Sequence, residues 1–261
     1  MKKFFSDIKK YFKYIIYSTK SNLKSEVANS YLNWLWWILD PLCFMLVYTF
    51  IVEIVFKTSE PYFPVFVLIG LTVWNFFNIN TNSSVKLVAN NKAIVTKVYI
   101  PKYVLTLIKM FTNLFKMFIS WGLILIMMLI FKVPYTLYMF QYFPVLIVLF
   151  ILSFGISTIL MHFGVFVEDL SNVMNILLKL IFYMSGIFYA ISSRVPEPFN
   201  RILLNLNPIA LIIDSFRKAF LTGSLVNYRM LGLWLIVGIV LSIIGIKTIQ
   251  KYENSYAKVT K

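Results

Sequence analysis

The chain has 261 residues, 60% of them hydrophobic and 13% charged, with a formal net charge of +15. A mean hydropathy of +0.79 exceeds what a single soluble core could bury, so composition excludes an ordinary soluble domain and predicts an all-α polytopic membrane protein. The positive charge does not mark a nucleic-acid binder, because the lysines lie between and beside apolar runs without any base-reading motif; the expected counter-charge is anionic inner-leaflet lipid.

From Phe4 to Ile16, apolar residues recur at helical spacing, while Lys2, Lys3, Lys9, Lys10 and Lys13 take the opposite side. Residues 1–30 therefore read as a cytoplasmic amphipathic helix, either lying on the membrane or packed on its own protein. No cleavable signal peptide is discernible, so the first span is expected to act as its own insertion signal. That span covers about residues 34–55, entered through Trp34, Trp36 and Trp37, with Asp40 and Pro41 near the headgroups. It contains Cys43, the sole cysteine, so no intrachain disulfide can form.

The second span, 65–79, is short: about 22 Å of helix, which must continue into the polar residues 80–88 or thin the bilayer. Residues 80–103 (NTNSSVKLVANNKAIVTKVYIPKY) carry Lys86, Lys92, Lys97 and Lys102 and no acid. The positive-inside bias places them in the cytoplasm. Their second half, 92–103, reads as a short helix stopped near Pro101. Such a helix can tie two spans together or receive force from a soluble partner.

The third span, 104–131, is longer than the hydrocarbon core. Lys109, Thr112, Asn113, Lys116 and Ser120 share one of its faces. Its lysines either snorkel to inner-leaflet phosphates or line an inward-facing vestibule. A fourth span, 145–167, contains Ser153 and Ser157 at small-xxx-small spacing, with Gly155 and Gly164 nearby. The lone His162 has no partner with metal-ligand spacing and reads as an ordinary hydrogen-bonded histidine. A turn at Glu168 and Asp169 leads to a fifth span, 172–191, with Lys179 near midplane depth. That lysine is either neutral or paired at a helix interface, or faces the path of a phosphorylated or hydrated cargo.

Residues 192–230 hold all four arginines, Arg194, Arg201, Arg217 and Arg229. Two amphipathic pieces, 202–207 and 209–221, are split by Pro208 and ended by Gly223. Neither can cross alone, so they read as an outer re-entrant or surface-lying helical hairpin before the sixth span, 231–249. A cytoplasmic tail closes the chain at 256–261. The lysine balance puts both termini inside.

No P-loop is present, nor a Ser-His-Asp, paired-carboxylate or metal-ligand cluster of persuasive spacing. An enzyme acting on lipid-linked sugars would have to use Asp40, Glu168 and Asp169 as its acids. The pattern instead resembles the permease subunit of type-2 ABC exporters of polysaccharide, the O-antigen and teichoic-acid exporter family. The resemblance covers about residues 27–255. It rests on residues 31–41 (YLNWLWWILDP), on Gly70 with Trp74 and Phe77, on residues 97–101 (KVYIP), and on Asn207 and Pro208 with Arg217 and Gly223. One departure is Glu168, where such permeases usually carry an arginine before the aspartate.

The resemblance implies a non-enzymatic transport subunit, 31–255 forming its membrane domain, in the cytoplasmic membrane of a bacterium. It implies a homodimer enclosing a channel, served by two copies of a separate ATP-binding subunit. No cofactor is expected on this chain; ATP and Mg belong to that partner. The cargo would be a polyprenyl-pyrophosphate-linked glycan; an exporter of drugs or small lipids is the alternative within this architecture. Residues Ala93, Ile94, Val95, Thr96, Lys97, Val98, Tyr99, Ile100 and Pro101 would form the coupling helix, with Val95, Val98 and Ile100 seated in a groove of the ATPase. Lys109, Lys116, Lys179, Tyr183, Phe188 and Tyr189 would lie along the substrate path, and Asn207, Pro208, Arg217 and Gly223 would shape the outer hairpin.

Overall fold

The computed structural model describes residues 2–28, 31–57 and 60–259, which contain helices and no strand. Helix α1 (Lys2–Val27) precedes α2 (Trp36–Thr49), which runs on as a π-helical turn (Phe50–Val55). Next come α3 (Phe63–Val85), two single turns α4 (Leu87–Asn90) and α5 (Lys92–Val95), and the long α6 (Lys102–Ile130). A 3-10 turn (Leu137–Gln141) opens α7 (Tyr142–Phe166), followed by α8 (Leu170–Met184). Three short helices, α9 (Ile191–Arg194), α10 (Phe199–Leu206) and α11 (Pro208–Arg217), lead to α12 (Tyr228–Val259).

Five of these stretches are long and apolar enough to cross a membrane: Trp36–Val55, Phe63–Val85, Lys102–Ile130, Leu137–Phe166 and Tyr228–Glu253. The sixth apolar helix, α8, has only 15 residues, about 22 Å of rise against a hydrocarbon core of about 30 Å. The continuous helix expected over 172–191 thus ends early. Gly186 adopts a left-handed φ of 65°, and the carbonyls of Gly186 and Ile187 turn aside to the Arg217 guanidinium. A carbonyl held by a side chain from elsewhere no longer serves the helix ladder.

Helix α3 is the axis of the bundle. It is apolar around most of its circumference, which suits a helix enclosed by neighbours rather than one with a wet face. It packs against α2, α6, α7, α8 and α11, burying Val65, Val67, Leu68, Ile69 and Val73 completely. The helix also continues through the polar residues expected to follow the second span. Asn80, Thr81 and Ser84 are buried, and Asn113 Nδ2 on α6 donates to Asn80 Oδ1 at 2.7 Å. Protein, not lipid, shelters this polar end.

Helices α7 and α12 pair along most of their lengths. A Cβ on Gly155 would lie 2.8 Å from the backbone nitrogen of Ser242, so only glycine permits this approach. His162 sits at the same seam with Nδ1 2.7 Å from the Tyr256 hydroxyl. Helix α1 packs on α6. Phe4 meets Tyr103 edge-on at 5.2 Å and Ile15 is buried, yet Phe5, Phe12 and Ile16 remain uncovered.

Candidate functional site

The segment between α3 and α6 is less helical than its sequence suggests. Of residues 92–101, only Lys92–Val95 forms a turn of α-helix; residues 96–98 turn and bend, and residues 99–101 are not helical. Proline disfavours helical geometry in the residue before it, so Ile100 leaves the helix early and its side chain falls into the core. Ile100 and Val95 are buried, contrary to the expectation that they face outward, while Ala93, Ile94, Thr96, Lys97, Val98 and Tyr99 are exposed. The apolar groups available to a partner are Ile94, Val98 and Tyr99, and Pro101 is buried beneath them.

Hydrogen bonds fasten this segment to both ends of the chain. Tyr11 on α1 donates to the Tyr99 carbonyl at 3.2 Å, and the Tyr99 hydroxyl donates to Glu253 Oε2 on α12 at 3.0 Å. Burial, then the Glu253 bond and the nearby negative charge, push the Tyr99 hydroxyl up to about 12. Just beyond, the Tyr103 hydroxyl donates to Asp7 Oδ2. Lys102 Nζ, itself buried, donates to the Ile100 carbonyl at 3.2 Å.

Farther along α6, Lys109 and Lys116 converge on one carboxylate. Glu26, from the last turn of α1, lies 3.7 Å from Lys109 Nζ and 2.9 Å from Lys116 Nζ. Residue spacing places the two lysines on one face but gives no hint of this acid, 90 positions from Lys116. Lys179 is not part of the cluster. It is exposed on α8, one turn before the exposed Tyr183. Helix α8 is held to α3 partly through Asn82 Nδ2, which donates to Asn175 Oδ1 at 2.9 Å. Phe188 is half-buried against Tyr48 of α2, ring centroids 4.0 Å apart. The Tyr189 hydroxyl donates to the Tyr183 carbonyl at 2.9 Å.

On the far side, Asn207 caps α11 by accepting from the amides of Ile209 and Ala210, with Pro208 at the first helical position where its missing N–H costs nothing. Its amide nitrogen donates to Ser185 Oγ at 3.1 Å, stitching α11 to the end of α8. Arg217 is buried, with Nη1 2.7 Å from the Gly186 carbonyl, Nη2 2.7 Å from that of Ile187, and both Nε and Nη2 3.2 Å from that of Phe66. Its guanidinium carbon also lies 3.3 Å from the centroid of the Phe66 ring. Gly223 ends the following π-helical turn with φ of 59°. Arg217 thus serves as a structural cross-brace.

Glu168 and Asp169 lie exposed in the turn between α7 and α8, and Asp40 lines a cavity with Trp36 and Trp37 that neither of them reaches. The three acids needed for an enzymatic reading are not gathered. Among the described residues, no cluster of three or more His, Cys, Asp or Glu side chains is placed to hold a metal ion.

Residues 14–221 match the family described as ABC-2 type transporter. The chain is 27% identical over 249 residues to an O-antigen export system permease protein, RfbA, of Klebsiella pneumoniae, covering 95% of each protein. It is 26% identical over 206 residues to a protein of the same description in Myxococcus xanthus, covering 79% of each. To the polysialic acid transport protein KpsM of Escherichia coli it is 27% identical over 229 residues, covering 77% of this chain and 78% of that protein. With an all-helical bundle, five long apolar helices and a family match across most of its length, the chain belongs to the ABC-2 type transporters as a membrane-embedded transport component.

Proposed function

We propose that this chain is the permease subunit of an ATP-driven exporter that moves a lipid-linked polysaccharide, of O-antigen, teichoic-acid or capsular type, across the cytoplasmic membrane of a bacterium. The observation that carries this reading is the end-to-end similarity to an O-antigen export permease, covering 95% of both chains. The subunit works as a homodimer with two copies of a separate ATP-binding subunit, which binds ATP and Mg. Residues 93–101 receive the ATPase, with Ile94, Val98 and Tyr99 as the uncovered apolar contacts. Both termini and residues 80–103 face the cytoplasm, as the lysine distribution favours.

The short α8 with residues 185–191 makes a sixth crossing, α1 lies at the inner interface, and α10 with α11 re-enters from outside. Burial of eight of the ten residues of α11 supports a hairpin sunk into the bundle. Exposed Tyr183 and half-buried Phe188 and Tyr189 supply faces for sugar rings where the two copies meet, and Lys109, Lys116 and Lys179 serve the anionic end of the cargo.

The test is reconstitution with the cognate ATP-binding subunit and a glycan-loaded polyprenyl diphosphate in vesicles. ATP-dependent movement of glycan, absent when either protein is omitted, is expected. Transport of small lipids or drugs but not glycan would refute the substrate assignment.

A further inference from the structure

The Glu26 carboxylate sits between the two ammonium groups of α6, with side-chain exposures of 28% for Lys109, 21% for Lys116 and 32% for Glu26. Water reaches all three, but sparingly. The two lysines bring two positive charges and Glu26 only one negative, so this ion-paired trio by itself keeps a surplus positive charge. Asp40 lines the same cavity as Glu26 and Lys116 but forms no ion pair with either lysine.

Glu26 also belongs to two cavities at once. One, of about 340 Å³, is bounded by Trp36, Trp37, Asp40, Asn75, Asn113 and Lys116. The other, of about 440 Å³, is bounded by Ser21, Asn22, Asn90, Asn91 and Lys109. Two polar atoms on the wall of the first, Thr72 Oγ1 and Asn113 Oδ1, are buried without a hydrogen-bond partner, and both residues are 3% exposed. Buried polar groups are seldom left unmatched, so unpaired ones on the wall of a cavity that Lys116 also lines point to a ligand that completes them. The Thr72 hydroxyl can donate to such a ligand, whereas the Asn113 carbonyl oxygen can only accept, from a protonated oxygen or a water carried with it.

We infer that Lys109 and Lys116, backed by Thr72 and Asn113, form a binding site for a phosphoryl dianion, and that Glu26 holds the anion position until such a head group displaces it. A phosphate or diphosphate ester carries the second negative charge that the carboxylate lacks, and several acceptor oxygens for the ammonium groups. Glu26 is the residue common to both cavities, so its withdrawal joins them into one polar passage beside α6. The inference rests on the proposed polyprenyl-diphosphate cargo; an anionic phospholipid head group, a phosphodiester with a single negative charge, is the competing occupant.

The experiment uses the full chain assembled with its ATP-binding subunits in phosphatidylcholine nanodiscs. Farnesyl diphosphate and, separately, inorganic pyrophosphate are titrated by calorimetry, with a parallel set in discs containing phosphatidylglycerol. Glu26→Gln is expected to bind farnesyl diphosphate about tenfold more tightly than the unchanged protein, because an internal competitor has been neutralised. Glu26→Asp, which keeps the charge on a shorter arm, should fall between them, and Lys109→Met with Lys116→Met should bind neither diphosphate. A thermal melt of each variant reports folding.

Equal or weaker binding by folded Glu26→Gln overturns the inference while leaving the exporter reading intact. Loss of farnesyl diphosphate binding in phosphatidylglycerol discs overturns it too, by showing that bulk lipid fills the site. Should Glu26→Gln fail to fold, the Glu26→Asp titration decides, and unchanged affinity there is equally fatal. Tighter binding by Glu26→Gln in a complex that moves no glycan would uphold the site and refute the exporter reading.

Discussion

The hydroxyl of Tyr99 donates to Glu253 at 3.0 Å, joining two residues 154 positions apart. It ties the exposed segment before α6 to the C-terminal part of α12, the last long helix. A push on Tyr99 is therefore a push on α12, which packs along α7. Tyr99→Phe removes the bond while keeping the ring, at a stability cost of about 1 kcal/mol or less for so exposed a group. Glycan exported per ATP is expected to fall, with the melting temperature nearly unchanged; measuring both on one preparation checks it. Because the Tyr99 hydroxyl is pushed up to about 12, above the ordinary tyrosine value, its contribution is complete below about pH 10 and is lost as pH rises toward the folded value. Coupling should not change through titration of this group over about pH 6–9.

The partner-facing and self-facing side chains of residues 93–101 can be separated. Ile94→Ser with Val98→Ser removes exposed apolar contacts, each worth roughly 1–2 kcal/mol if buried by the ATPase. Co-purification of the ATPase should weaken by roughly tens- to a thousandfold, the membrane protein remaining folded. Val95→Ser instead puts a hydroxyl into the core and should lower the stability of the permease itself by about 1–3 kcal/mol. Pull-down yield and melting temperature measured together discriminate; an Ile94/Val98 variant that retains its ATPase sinks the docking assignment.

Arg217 satisfies three backbone carbonyls from two separate parts of the chain. Arg217→Lys keeps the charge but loses the planar fork, leaving at least one carbonyl unmet. A loss of roughly 2–4 kcal/mol is expected, with faster proteolysis around residues 185–190. Melting curves and limited digestion measure it, and an unshifted melt would mean that water replaces the guanidinium.

Gly164 and Gly122 form a matched pair of tests. A Cβ on Gly164 would collide with the Val85 backbone, whereas one on Gly122 meets nothing within 4 Å. Gly164→Ala should cost about 1–3 kcal/mol through forced backbone movement. Gly122→Ala should be neutral or stabilise by up to about 1 kcal/mol through helix propensity. Similar melting shifts for the two would contradict the close α3–α7 approach.

Topology is accessible to labelling. In a Cys43→Ser background, Lys92→Cys and Ser193→Cys place single thiols at exposed positions on opposite ends of the bundle. An impermeant maleimide added to intact cells is expected to reach residue 193 and not residue 92. Labelling of both from outside would overturn the proposed orientation.

Much of the architecture is legible in the sequence because bilayer solvation acts on whole segments. A long apolar run must become a helix, and the lysines beside it bias its direction, so the long helices, the polar extension of the second and the break at Pro208 follow from local pattern. The family resemblance was legible for the same reason: its motifs lie at the entries and ends of those runs. What tertiary structure decided concerns single polar groups. That Glu26 reaches Lys109 and Lys116, that Lys179 stands apart from them, that Val95 and Ile100 turn inward, and that Arg217 ends α8 prematurely all depend on how helices distant in sequence dock. Periodicity fixes which face of a helix a side chain occupies, but only packing fixes what that face meets, and a charged group removed from water is stabilised by whatever partner the packing supplies.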